Sequence, residues 1–140
     1  MSDVLEKIIN QKKIDLLVIK KKYTNDLLSE RIKQNESYIS FKNKITDNIK
    51  QNKISVIAEI KKASPSVGLI IKQYNPIAIA ENYILNGATC LSILTEEKFF
   101  LGDLQHITDV KNKFKIPILC KDFFIRSEEH TSELQSHLKL

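Results

Sequence analysis

Residues 54–61, Ile54-Ser55-Val56-Ile57-Ala58-Glu59-Ile60-Lys61, are a short β-branched and apolar run closed by the turn-forming Ser64-Pro65-Ser66-Val67-Gly68. Two similar runs follow at 90–95, Cys90-Leu91-Ser92-Ile93-Leu94-Thr95, and at 117–122, Pro117-Ile118-Leu119-Cys120-Lys121-Asp122. A stretch of helical period separates each run from the next. The first opens on Asn75-Pro76, an N-cap with proline at the first helical position, carries Ile79, Ala80, Tyr83 and Ile84 on one face, and stops at Gly87. The second starts near Gly102-Asp103 and places Leu104, Ile107, Val110 and Phe114 at steps of three and four. The order β-α-β-α-β predicts parallel strands joined by right-handed crossovers. Strands this apolar need a sheet covered on both faces or closed into a barrel, and three strands complete neither.

Upstream, residues 2–33 read as helix from apolar Leu5, Ile8, Ile9, Leu16, Ile19, Leu27, Leu28 and Ile32, with a break at Tyr23-Thr24-Asn25-Asp26. Asn35 to Lys53 is polar and reads as a connector or a weak helix. The 140 residues suit one soluble domain. No run approaches the roughly 20 apolar residues of a membrane helix, and no leader-like start is present, so neither membrane nor export is expected. Cys90 and Cys120 lack metal-ligand spacing and sit in apolar runs, which predicts buried reduced thiols in a cytoplasmic protein. The net charge of +5 is concentrated in residues 1–53, which hold 12 of the 22 basic side chains and 7 of the 17 acidic ones. Nearly all of it is lysine, as an AT-rich coding bias would produce, so a solvated helix face is expected rather than a nucleic-acid surface.

Side chains alternate along a strand, so Ile57, Glu59 and Lys61 share one face, as do Leu119, Lys121 and Phe123. Each charged group lies at the C-terminal end of its strand, where parallel α/β folds build their sites. A carboxylate and two ammonium groups converging there could bind an anionic substrate and move protons. The alternative is that they are rim charges in water, Ser64-Pro65-Ser66 an ordinary turn, and Thr95 to Phe100 a polar loop over two packed aromatics. His106 reads as a solvated helix residue.

Three quoted segments decide between these readings: Ile57-Ala58-Glu59-Ile60-Lys61-Lys62-Ala63-Ser64-Pro65-Ser66, Leu94-Thr95-Glu96-Glu97-Lys98-Phe99-Phe100 with Gly102, and Pro117-Ile118-Leu119-Cys120-Lys121-Asp122-Phe123. In order and interval they resemble indole-3-glycerol phosphate synthase over residues 3–125. The resemblance implies an incomplete (β/α)8 TIM barrel, with 1–53 as an N-terminal helical extension and 54–125 as strands one to three. It implies a carboxy-lyase of tryptophan biosynthesis that converts 1-(2-carboxyphenylamino)-1-deoxyribulose 5-phosphate to indole-3-glycerol phosphate, losing carbon dioxide and water. By motif position Lys121 would be the general acid, Lys61 would hold anionic groups and aid dehydration, and Glu59 would pair with Lys61. Ser64 and Pro65 would shape the mouth of the site, and Phe100 and Phe123 would pack on the aromatic ring. No metal or organic cofactor is implied. The partner is a small phosphorylated substrate, with neither nucleic acid nor membrane; fusion to, or association with, other tryptophan-pathway enzymes in the parent protein stays open. Val67 departs from the family, which often has a basic residue there. The nearest enzymatic alternative, phosphoribosylanthranilate isomerase, would be expected to use a Cys and Asp pair; a basic nucleic-acid-binding module is the alternative of another class.

Residues 126–140 break the pattern. Arg126-Ser127-Glu128-Glu129-His130-Thr131-Ser132-Glu133-Leu134-Gln135-Ser136 resembles a translated sequencing adapter, so an artefactual tail is expected with no role for His130 or His137. A whole barrel takes ~250 residues. The family's second glutamate, on strand four, and its late phosphate-binding loops have no counterpart here. The chain alone is therefore expected to be inactive, with an open sheet side where Ile57 and Leu119 meet water.

Overall fold

The computed structural model describes residues 2–34 and 38–125. Three parallel strands, β1 (Ile57–Ile60), β4 (Cys90–Leu94) and β5 (Ile118–Lys121), lie in the order β1-β4-β5. Helices α4 (Pro76–Leu85) and α5 (Gln105–Lys113) make the two crossovers. Each strand is shorter than its apolar run: Ile54 is 89% exposed, and pairing begins only where β4 lies alongside. Val56 still accepts from the backbone N–H groups of Thr89 and Cys90, at 2.8 and 3.2 Å.

The pleat sorts side chains cleanly. Ala58, Ile60, Leu91, Ile93, Ile118 and Cys120 face α4 and α5 and form the core with Ala80, Ile107, Val110 and Ile116. All five residues of central β4 are buried, the pattern of a strand covered on both faces. On the opposite face the edge strands are less covered: Ile57 and Leu119 remain 48% and 40% exposed, while Cys90, Ser92 and Leu94 between them are buried.

The helix boundaries follow local chemistry. Asn75 caps α4 by accepting from the N–H groups of Ile77 and Ala78, at 3.0 and 3.1 Å, with Pro76 in the first turn. The chain leaves α4 through Gly87 at φ +90, which closes the terminus with N–H to Ile84 C=O, while Ala88 N–H bonds Tyr83 C=O. The turn after β1 is more ordered than a simple loop: Ala63–Ser64 (β2) and Gly68–Leu69 (β3) pair antiparallel around it.

The N-terminal region comprises α1 (Ser2–Lys22), α2 (Asn25–Gln34) and α3 (Phe41–Lys50), with the first break where it was expected. Of the two readings of the polar stretch, connector or weak helix, the structure takes the second, with α3 a ten-residue helix. Ser40 caps it through Asn43 N–H at 3.2 Å, and Asn48 donates to Ser55 and Thr89, which docks the helix at the N-terminal ends of β1 and β4. His106 also departs from expectation. It is half-buried, with its ring centroid 5.2 Å from that of Tyr74, whose hydroxyl burial pushes up to about 12. The expected tail lies outside the described residues. Among the described residues, no helix is long and apolar enough to cross a membrane.

Candidate active site

Glu59 stands on the open face of β1, one residue short of the strand's end, in register with Ser92 of β4, itself in register with Leu119. Lys121 closes β5 and pairs in register with Leu94, so it is one step nearer the C-terminal end on that same face. Lys61 follows Glu59 by two residues. The period of two therefore brings all three groups to one corner, and their charges meet: Lys61 Nζ donates to Glu59 Oε1 at 2.6 Å, and Lys121 Nζ donates to Glu59 Oε2. Burial pushes the Glu59 carboxyl up, but hydrogen bonds from Lys121 and Lys61, reinforced by their charges, outweigh it and hold the group below its ordinary value. The cluster is a carboxylate bridging two lysine side chains. Lys121 keeps half its side-chain surface exposed toward the open face.

A pair of aromatic rings lies at the same end of the sheet. Phe100 and Phe123 approach to 5.8 Å between centroids at 38°, from the loops after β4 and β5. Ser64 and Pro65 lie in the hairpin after β1, where Ser64 Oγ accepts from Val67 N–H at 3.3 Å and contacts Ser66 Oγ at 3.3 Å. The structure thus joins Glu59, Lys61 and Lys121 directly and sets Phe100 against Phe123, while Ser64 bonds within its own turn, which Pro65 shares.

Four residues have roles that the sequence reading did not assign. Glu96, 2% exposed, accepts from the backbone N–H groups of Lys98, Phe99 and Phe100 at 3.1, 2.6 and 3.0 Å, folding the loop that presents Phe100. That loop re-enters at Gly102, where an added Cβ would lie 2.4 Å from Leu94 C=O oxygen. Asp122 accepts from Thr95 Oγ1 at 2.9 Å and pairs with Lys12 of α1 at 2.7 Å. The only sequence signal for Lys12 is its place four residues after buried Ile8, on the same helical face. Both thiols are buried and reduced, Cys120 pushed up to about 11 by burial.

Parallel βα units with a charged cluster at the C-terminal strand ends are the layout of α/β enzymes. Residues 5–133 match the family described as indole-3-glycerol phosphate synthase, and the chain belongs to that family. The match runs beyond Ile125, where the sequence reading ended the resemblance. Among curated relatives, the chain is 38% identical over 122 residues to the "Indole-3-glycerol phosphate synthase" of Aliarcobacter butzleri (strain RM4018), covering 87% of this chain and 46% of that protein. It is 41% identical over 122 residues to the protein so named in Alkaliphilus metalliredigens (strain QYMF), with the same coverages. For the Bordetella pertussis (strain Tohama I / ATCC BAA-589 / NCTC 13251) protein the identity is 36% over 125 residues, covering 89% of this chain and 48% of the relative. The chain spans about half the length of the curated relatives it matches.

Proposed function

We propose that the chain is the N-terminal half of an indole-3-glycerol phosphate synthase, with residues 54–125 as the first three βα units of a (β/α)8 barrel and residues 1–53 as its helical extension. The observation that carries the reading is the single carboxylate of Glu59 held between Lys61 and Lys121 on the open face of the sheet. Two cations around one anion leave a net positive corner, suited to a substrate bearing a carboxylate and a phosphate.

In the intact parent protein, 1-(2-carboxyphenylamino)-1-deoxyribulose 5-phosphate closes its ring by attack of the aromatic carbon on the sugar carbonyl. Lys121 delivers its proton to the carbonyl oxygen as the new carbon–carbon bond forms. Carbon dioxide then leaves with the electron pair drawn toward the substrate's own nitrogen. The new hydroxyl then takes up a proton and departs as water, pushed out by the nitrogen lone pair through the ring, and the ring carbon next to the nitrogen gives up a proton to complete the indole. Lys61 holds the anionic groups and assists this last step, and Glu59 orients Lys61 and passes protons. Phe100 and Phe123 pack against the aromatic ring, and Ser64 and Pro65 border the mouth. The conversion is localised to the cytoplasm on this reading.

The test is Lys121→Ala in the intact parent, which should lower kcat by at least ~10²-fold, the scale of a lost general acid. Lys121→Arg should fail to rescue it, because a guanidinium is effectively always protonated and differs in shape. Near-normal turnover in either variant removes Lys121 from the mechanism.

A further inference from the structure

The Lys12–Asp122 ion pair has no part in the chemistry just assigned, yet it is the more enclosed pair, with side chains 13% and 5% exposed. Asp122 lies between Lys121 and Phe123 in the chain. Its Oδ1 meets Lys12 Nζ at 2.7 Å and its own neighbour's Phe123 N–H at 2.7 Å, and its Oδ2 accepts from Thr95 Oγ1 at 2.9 Å. Groups from α1, from the end of β4 and from the chain after β5 therefore converge on one carboxylate. Fixing that carboxylate fixes the backbone that aims Lys121 at Glu59 and Phe123 at Phe100.

The helix end of the contact is equally specific. Ile8, Lys12 and Asp15 follow at steps of four and three and share one face of α1. Ile8 is 4% exposed, and Asp15 Oδ1 faces Lys98 Nζ at 3.5 Å in the loop after β4. Charges of opposite sign on α1 thus address the loops that carry Phe100 and Phe123. The inner pair is nearly dry, so losing one partner strands the other's charge and releases the contact.

We propose that Lys12 is a positioning residue of the site: by pairing with Asp122 it latches α1 onto the C-terminal end of the sheet and sets the aim of Lys121. This rests on the synthase reading for its kinetic consequences, but the latch itself is measurable without turnover.

The experiment compares wild type, Lys12→Met and Lys12→Arg in the intact parent. In hydrogen exchange, amides of residues 8–22 should exchange at least ~10-fold faster in Lys12→Met, with those of β4 unchanged, and Lys12→Arg should keep the protection. In kinetics, Lys12→Met should lower kcat ~10-fold with KM moving less than ~2-fold, and Lys12→Arg should recover most of the loss. In a Lys121→Ala background, Lys12→Met should have little further effect on kcat, because its influence passes through Lys121. Unchanged exchange of α1 in Lys12→Met overturns the latch. A kcat loss that multiplies undiminished on top of Lys121→Ala overturns the positioning role. A wild-type parent that does not convert the substrate overturns the synthase reading alone, and the exchange arm still decides the latch. If Lys12→Met fails to fold, Lys12→Gln replaces it under the same criteria.

Discussion

Glu59 spends both carboxylate oxygens on lysines, one from its own chain segment and one from two strands away. Such a group cannot act independently of its partners. In the intact parent, Glu59→Gln and Lys61→Met should each lower kcat/KM, and the double variant should lose much less than the product of the two effects. Steady-state kinetics of the four proteins measures this, and effects that simply multiply would separate the residues. Gly102 makes a different demand. Its would-be Cβ meets the carbonyl oxygen of Leu94 and, at 2.9 Å, that of Glu96, both backbone atoms with little room to yield. Gly102→Ala should destabilise the parent by about 1–3 kcal/mol, the usual cost of overpacking, read from urea unfolding midpoints. Glu59, Lys61 and Lys121 were legible at the strand ends from the period of two and from where parallel folds build their sites, but that left rim charges as the alternative, and the family resemblance made the choice. Glu96, Asp122 and Lys12 were not, because their partners are loop amides or a helix more than 100 residues upstream, and no periodicity encodes those meetings.

Among elements, α4 shows how much a boundary can be read in advance. Asn75, Pro76 and Gly87 were each visible as cap, first turn and stop, and each occupies that place. Asn75→Ala should therefore cost the parent about 0.5–2 kcal/mol, because two N–H groups lose their acceptor; thermal unfolding would register it, and Asn75→Ser should retain most of the stability. Helix α3 shows the opposite case. Phe41, Ile45 and Ile49 recur at steps of four, but the stretch is otherwise polar and none of its residues is buried; its anchors are the Ser40 cap and the Asn48 amide reaching Thr89, 41 residues away. The strands were placed correctly but read too long, by one residue at each C-terminal end and most of all at the start of β1, where Ile54, Ser55 and Val56 have strand-like side chains but lie before the ladder with β4 begins. His106 was misread for a similar reason: its ring partner, Tyr74, comes from before α4.

For the molecule as a whole, the sheet orders β1-β4-β5 with both outer strands at edges among the described residues. Such edges carry unpaired backbone groups, and the adjoining face leaves Ile57 and Leu119 half in water. A cleft of about 780 Å³ lies beside β5, with Ile118, Leu119, Phe41 and Phe114 among its lining residues. Purified residues 1–140 should accordingly self-associate or remain partly unfolded, and should make no indole-3-glycerol phosphate from the substrate. Light scattering and a product assay test the two halves of that statement, and product above background would show that Glu59, Lys61 and Lys121 suffice without the rest of a barrel.

The free edge of β5 also sets a clock. If the remaining barrel half follows on the same chain, relatives about twice this length imply another ~140 residues to be made. The next strand would follow β5 by about 30 residues, as β5 follows β4, so at ~5–20 residues per second β5 waits a few seconds on the ribosome for its neighbour, while the outer edge of β1 waits on the order of ten seconds for the last strand. Over that interval the half-wet row of Leu119 and Ile57 is open to any extended segment nearby, including the same segment on an adjacent ribosome of one messenger. Slowing elongation downstream of the Ile125 codon lengthens the wait, and chaperone capture during synthesis should rise with it.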